Sequence, residues 1–486
     1  MQNLLYISAF TVLQAICSTV IALLIGISAA FFTAKRDFFL KKSLLSLSSV
    51  PLCIPALLVA LGFVSFFGFS GTLNTIFKHI IGSQKPLFTF LYSFSGIILA
   101  QGFYNFPIVM ITVHDSWIRL PQGQAECARL LGASESRIFR TVTIFQLLPA
   151  IVSSCMLVFL YCFFSFLIIL LFGGVGCTTL EVEIYKSARA TLDFSQTARL
   201  ATAETALACI FVGFYAFLEQ KAAKNRGLSF NQKNTNRKIS GIFERIYSSL
   251  IFFLIFLFFI APLASIFYNA VSSTREVFTF TTLAKVLRMK GFLPSLFTTI
   301  SIALSTSFLS VIVAFLYSSF LRSFDSQGRI LILRILPMIP MAVSSVVTGV
   351  LIMLLVKKGS VIHLVLAQVF LTWPLAFRQI YASLSKIRQE TVDAARLLSP
   401  HFCDLIFRIY LPQSWRGILN AAGFCFAVSA GDTTLPLVLA LPKFTNLSLF
   451  TYRLAGSYRF HEACAAGLIL GAICTTVFAL ANKMKD

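Results

Sequence analysis

Eleven apolar runs, each about as long as the hydrocarbon core of a bilayer is thick, constrain this chain more than any other feature. They cover residues 5–33, 44–67, 87–113, 147–172, 198–218, 246–271, 294–321, 332–356, 361–381, 417–441 and 463–480. A globular core explains one or two such runs, not a series separated by short polar loops. Helices satisfy their backbone N–H and C=O groups internally, as lipid requires, whereas a membrane barrel would show short segments of alternating polarity. The expectation is an all-α, polytopic membrane protein of about 11 transmembrane helices. Composition agrees, because 52 of the 486 residues are Phe, 57% are hydrophobic and only 12% are charged. A water-soluble chain could not bury so many aromatic rings.

A formal charge of +22 would point to nucleic acid in a soluble protein, but its distribution here points to the bilayer. If the loops after the odd-numbered helices are cytoplasmic, most Lys and Arg lie inside, as membrane insertion favours. The clearest such segment is 219–245, where Lys221, Lys224, Arg226, Lys233, Arg237, Lys238 and Arg245 sit among Gly, Asn and Ser. It reads as a flexible cytoplasmic linker, with no nucleic-acid partner. Residues 1–32 do not read as a cleaved signal, since the apolar stretch is too long and the basic cluster Lys35, Arg36, Lys41 and Lys42 follows it. This helix is expected to be retained, with the N-terminus outside and Asp486 inside. The eleven cysteines contain no CxxC pair, and the five histidines lack metal-ligand spacing. Buried free thiols are expected, and no metal site.

An internal repeat organises the chain. Leu99-Ala100-Gln101 recurs 267 positions later as Leu366-Ala367-Gln368, and the same offset pairs Pro107 with Pro374 and Ala128-Arg129-Leu130-Leu131 with Ala395-Arg396-Leu397-Leu398. Such a constant register implies two fused copies in the same orientation, or parallel pseudo-repeats. The halves are then 1–218, with about five helices, and 246–486, with about six, joined by the linker 219–245. The run 246–271 has no counterpart in the first half, so either a helix was lost there or the true start lies upstream of Met1.

The polar loop after the third and ninth helices is the most informative part of each copy. Glu126-Cys127-Ala128-Arg129-Leu130-Leu131-Gly132 and Asp393-Ala394-Ala395-Arg396-Leu397-Leu398-Ser399 share an acid, a small residue two positions on, and Gly or Ser six positions on. Ala128 and Leu131 share a face, which predicts a short amphipathic helix with a small-residue surface, and Gly132 allows a sharp turn after it. An apolar face exposed to cytosol calls for a partner. On these residues the chain resembles the permease subunits of bacterial binding-protein-dependent ABC importers, whose cytoplasmic loop has the form E-A-A-x-x-x-G followed by a hydrophobic-Pro step. Ile144-Phe145 with Pro149, and Leu411-Pro412, occupy the place of that step. The departures are Cys127, Phe145, Asp393 and Ser399.

The resemblance covers nearly the whole chain, because fused double-permease chains of thiamine and iron(III) importers share this layout. It implies the type I importer permease fold. It also implies that Glu126, Cys127, Ala128, Arg129, Leu131, Gly132, Asp393, Ala394, Ala395, Arg396, Leu398 and Ser399 form the loops that dock on two copies of an ATPase subunit. A substrate-binding protein would deliver cargo outside. The segments around Gln101, Thr178-Thr179-Leu180-Glu181 and Leu454-Ala455-Gly456-Ser457-Tyr458-Arg459 lean to thiamine or its phosphate esters, with ferric iron as the alternative. No glycine is followed by lysine, so the chain has no phosphate-binding loop of the GxxxxGK[ST] type. It is expected to be no enzyme and to bind no cofactor, with ATP and Mg used by the partner. A secondary transporter or an intramembrane enzyme are the other classes, and neither inverted repeats nor a paired-carboxylate arrangement supports them. Two acidic residues lie within apolar runs, Glu204 and Asp432, the latter followed by Thr433 and Thr434. Each carboxylate reads either as lining a path for a cation or as a polar contact at a helix end.

Overall fold

The computed structural model describes residues 2–39, 41–47, 54–82, 85–121, 123–174, 176–224, 237–238, 241–272, 280–324, 333, 336–356, 359–398 and 401–483. The main helices are α1 (Gln2–Lys35), α2 (Ala56–Phe67), α3 (Phe94–Trp117), α4 (Gly123–Leu130), α5 (Ile144–Phe163), α6 (Phe194–Lys224) and α7 (Ile242–Ile255) in the first stretch of chain. They are followed by α8 (Phe292–Phe324), α9 (Ser345–Leu355), α10 (Val361–Leu384), α11 (Gln389–Leu398), α12 (Leu411–Gly431), α13 (Leu447–Gly456) and α14 (Phe460–Lys483). Among the described residues ten helices are long and apolar enough to cross a membrane, and the pair Leu336–Ala342 and α9, bent by 88°, makes an eleventh if it is counted as one span. The all-α membrane architecture read from the apolar runs is the architecture found. A single ladder of two residues a side, Arg36–Asp37 beside Arg237–Lys238, is the β-structure among the described residues.

Several of the apolar runs are broken rather than continuous. The run 147–172 divides into α5 and the short helix Leu167–Phe172, and 417–441 divides into α12 and Thr434–Leu439. The run 332–356 is the bent pair, whose first member contains Pro337 and Pro340. Proline has no N–H to give a helix and fixes its own φ, so two prolines within four residues favour a bend here.

The described chain forms two compact units. Unit 1 comprises Met1–Pro51, Gly62–Glu183 and Thr202–Ser265. Within it α1 lies along α3, and glycines let the backbones meet: a Cβ on Gly26 would stand 2.6 Å from Val109 Cβ, and one on Gly102 would stand 2.6 Å from Ile21. Small residues replace the hydrophobic driving force that lipid removes, because close approach maximises dispersion contact. The segment after the linker returns onto this unit. Phe258 stacks on Phe67 and Phe103 at 5.2 and 4.7 Å, Arg36 pairs with Glu244, and the Ser65 and Ser265 hydroxyls lie 2.6 Å apart.

Unit 2 comprises Leu52–Leu61, Ile184–Ala201 and Ile266–Asp486. Here α8, α10 and α12 pack through hydroxyls. Ser310 and Thr372 are hydrogen-bonded at 2.8 Å, and Ser307 donates to the Ala422 carbonyl at 2.7 Å. Gly467 and Gly471 of α14 make room for Leu58, whose δ-carbons would lie 2.6 and 2.9 Å from an added Cβ. Gly431 faces the Pro55 ring in the same way, at 2.8 Å. Close packing accounts for the paired glycines of the last helix.

The repeat runs further than its sequence match. The helices α3 and α10, α5 and α12, and Leu167–Phe172 and Thr434–Leu439 each begin 267 residues apart. Upstream the offset becomes 288, and equivalent hydrogen bonds fix it: Leu180 N donates to Thr11 Oγ1 at 3.0 Å, and Leu447 N donates to Thr299 Oγ1 at 2.7 Å. The 21 residues of difference lie between α2 and α3, where the helix Thr72–Ile81 is inserted. Only five residues separate α9 from α10, too few for such a helix.

Candidate functional site

The first loop is built around its turn. The helix α4 ends at Leu130, and the N–H groups of Leu131, Gly132 and Ala133 turn back to the carbonyls of Cys127, Arg129 and Ala128 at 3.1, 2.9 and 3.0 Å. Gly132 has φ of 81°, the left-handed conformation that closes a helix and that glycine adopts without a Cβ clash. Leu131 therefore belongs to the turn and not to the helical face that sequence spacing assigned it. Beyond the turn, Arg129 forks onto the Glu135 carboxylate at 2.6 and 3.2 Å. Both side chains are exposed, so this pair orients the turn more than it stabilises it.

The second loop has the same design with different anchors. Val392 is fully buried and fixes α11, and Arg396 donates to the Ser323 carbonyl at 2.6 Å. Gln389 donates to Asp393 at 3.0 Å. Ser399 lies outside the described residues. In each loop the second small residue, Ala128 or Ala395, is half-buried, while Glu126, Cys127, Asp393 and Ala394 are exposed. The most telling feature is apolar: Leu130 and Leu131 are each 88% exposed, and Leu397 and Leu398 each 89%. Four leucines at equivalent positions are thus unpacked within the chain, and burial of each against a partner would be worth roughly 1.5–3 kcal/mol.

The acidic residues separate into two cases. Asp432 is not inside a helix but at the break between α12 and Thr434–Leu439. Its Oδ1 accepts from the N–H groups of Thr434 and Leu435 at 3.0 and 3.3 Å, which supplies partners for donors that every helix N-terminus leaves open. Its Oδ2 accepts from Gln368 Nε2 at 3.1 Å, while Gln368 Oε1 accepts from Ser429 and Thr306 at 2.6 and 3.1 Å. Asn446 closes the set by donating to the Asp432 carbonyl at 3.3 Å. Thr433 stands beside it, 1% exposed, its hydroxyl without a hydrogen-bond partner among the described residues, and Thr434 begins the next helix. Glu204, by contrast, lies within α6 and is 1% exposed.

Gln368, Ser429 and Asn446 were not singled out as site residues by sequence. The available signal was Gln101 recurring as Gln368 inside otherwise apolar runs. In the first half Ser18 donates to Gln101 Oε1 at 2.9 Å, as Thr306 does to Gln368. There, however, Cys162 replaces Ser429 and Ser165 replaces Asp432, and Gln101 Nε2 is buried without a partner among the described residues. The carboxylate is a property of the second copy alone.

Residues 22–224 match the family model of the binding-protein-dependent transport system inner membrane component. The chain is also similar, nearly end to end, to thiamine transport system permease proteins. The protein from Haemophilus influenzae is 25% identical over 97% of this chain and 87% of its own length. Those from Salmonella typhimurium and Escherichia coli are 23% and 24% identical over 99% of this chain and 89% of theirs.

Proposed function

We infer that this chain, a multi-pass inner-membrane permease of the binding-protein-dependent transport family, carries thiamine or its phosphate esters inward as the translocating subunit of an ATP-driven importer. The observation that carries the reading is collinearity with thiamine permeases through both copies of the repeat. An ATPase and a substrate-binding protein are its partners. Two ATPase copies fit the two exposed loops, with ATP and Mg bound on the ATPase and no cofactor on this chain. Six membrane crossings separate the loops, so both face the cytoplasm, the N-terminus lies outside and the C-terminus inside. Alternating access of the pathway then follows closure of the ATPase dimer. Uptake of labelled thiamine by cells lacking their own thiamine importer, supplied with this chain and its partners, tests the reading. Uptake of ferric iron and not thiamine would replace it.

Asp432 is the residue through which the pathway can be probed. Asparagine keeps an oxygen for the Thr434 and Leu435 N–H groups but removes the charge and sets an amide N–H₂ against Gln368 Nε2. Asp432→Asn should cost on the order of 1 kcal/mol in thermal unfolding, the value of one hydrogen bond. If the carboxylate meets the cationic cargo, thiamine uptake falls about tenfold, the equivalent of 1.4 kcal/mol. Unchanged uptake kinetics would remove Asp432 from the pathway.

A further inference from the structure

At the end of unit 2 remote from α11, a cavity of about 710 Å³ opens between the starts of α8 and α10 and the loop that leads into and out of α13. Lys290, Lys443, Arg453 and Arg459 line it, and among the described residues no carboxylate does. An adjoining hollow adds Lys285 and Arg288. The length of α10, 24 residues, places this cluster about 36 Å from the α11 loop. Cations gathered this closely repel one another, and a half-open, low-dielectric wall strengthens the repulsion, so the arrangement stores an attraction for anions.

Hydrogen bonds hold Arg453 and Arg459 in place. Arg453 Nη1 donates to Thr445 Oγ1 at 2.9 Å, which fixes its guanidinium. The Glu462 carboxylate is divided between Lys285 at 2.8 Å and Arg459 at 3.4 Å, and among the described residues no ion pair engages Lys290, Lys443 or Arg453. Lys443, in the lining, and Tyr458, between the lining residues Ser457 and Arg459, have φ of 56° and 59°, conformations that residues other than glycine rarely take and that collect at binding sites. The N-terminal residues of α8 and the first residue of α10 also face the space, which adds two positive dipole ends. The carbonyls at the end of α13 do not oppose this, since the N–H groups of Ser457, Tyr458 and Arg459 already bond to those of Arg453, Leu454 and Ala455. Phe444 and Phe450 supply an apolar wall.

We propose that this cavity is a binding site for the phosphoryl group of an organic phosphate. A free thiazolium cation would be repelled by these side chains, and Asp432 is not among the lining residues. The site stands whether or not thiamine is the cargo, because the chemistry recognised is the phosphoryl anion. That anion has two sources, a soluble phosphate ester and a phospholipid headgroup.

Calorimetry on the full chain in phosphatidylcholine nanodiscs, with inorganic pyrophosphate as the probe, tests it. Wild-type chain should bind pyrophosphate with an affinity that falls as salt rises, and the double variant Lys443→Gln, Arg453→Gln should bind at least tenfold more weakly. Both side chains are exposed, so the variant opens no core, and an unchanged unfolding temperature checks this. Lys386→Gln with Arg388→Gln, at the opposite end of α10, should leave binding intact. Nanodiscs containing phosphatidylglycerol distinguish the sources. Loss of pyrophosphate binding in them identifies a lipid headgroup as the occupant, and retention identifies a soluble ester. Equal binding by wild type and the Lys443, Arg453 variant, or none at millimolar pyrophosphate, would overturn the proposal.

Discussion

Replacing Gly132 with proline should abolish uptake and ATPase association while the helices remain inserted. Proline holds φ near −65°, about 145° from the 81° that Gly132 adopts, and it lacks the N–H that Gly132 donates to Arg129 at 2.9 Å. The turn cannot close, Ala133 loses its bond to Ala128, and Arg129 no longer reaches Glu135. Gly132→Ala provides a graded comparison, since a Cβ in the left-handed region costs about 1–2 kcal/mol while the N–H survives. Nothing lies within 4 Å of that added Cβ, so conformation alone carries the cost. Uptake should rank glycine over alanine over proline, with equal membrane yield. Wild-type uptake by the proline variant would remove this loop from the coupling role.

The second large effect is expected from the exposed leucines. If docking buries Leu131 and Leu398, each contributes roughly 1.5–3 kcal/mol to association. Leu131→Glu combined with Leu398→Glu removes both contributions and sets a carboxylate in each contact. A titration of the purified ATPase against detergent-solubilised permease should show at least about a hundredfold loss of affinity, the equivalent of 2.7 kcal/mol or more. The unfolding temperature should not move, because neither side chain packs within the fold, at 88% and 89% exposure. An unaltered affinity would show that the leucines lie outside the ATPase contact.

Much of the fold was legible because run length and repeat register are properties of the covalent chain. Twenty apolar residues match the thickness of lipid whatever they later pack against, so the spans and their number follow from the sequence. The offset of 267 is likewise a count along the chain, and it located both loops together with their acid, alanine and arginine. Three things were not legible. The breaks at residues 164–166 and 432–433 leave the mean hydropathy of the run unchanged, and Asp432 becomes a cap only when two N–H groups and Gln368 converge on it. The exposure of Leu130, Leu131, Leu397 and Leu398 depends on where each short helix ends, and at the first loop a turn fixed by Gly132 decides that.

The amino-acid sequence by itself determined an all-α membrane chain of two fused copies, each with a polar loop ending in paired leucines. Tertiary structure alone decided where the helices pack. The segment up to Ser265 joins unit 1 although it follows the linker, and Leu52–Leu61 and Ile184–Ala201 join unit 2 although they precede it. The same holds for the cations at the mouth of unit 2, which are spread from Lys285 to Arg459 along the chain. Apolar side chains are interchangeable to lipid, so hydropathy specifies that a helix is buried in the membrane but not its neighbour. The neighbour is chosen by shape: a glycine where a leucine must enter, a hydroxyl where a glutamine waits, contacts that exist only once the helices are together.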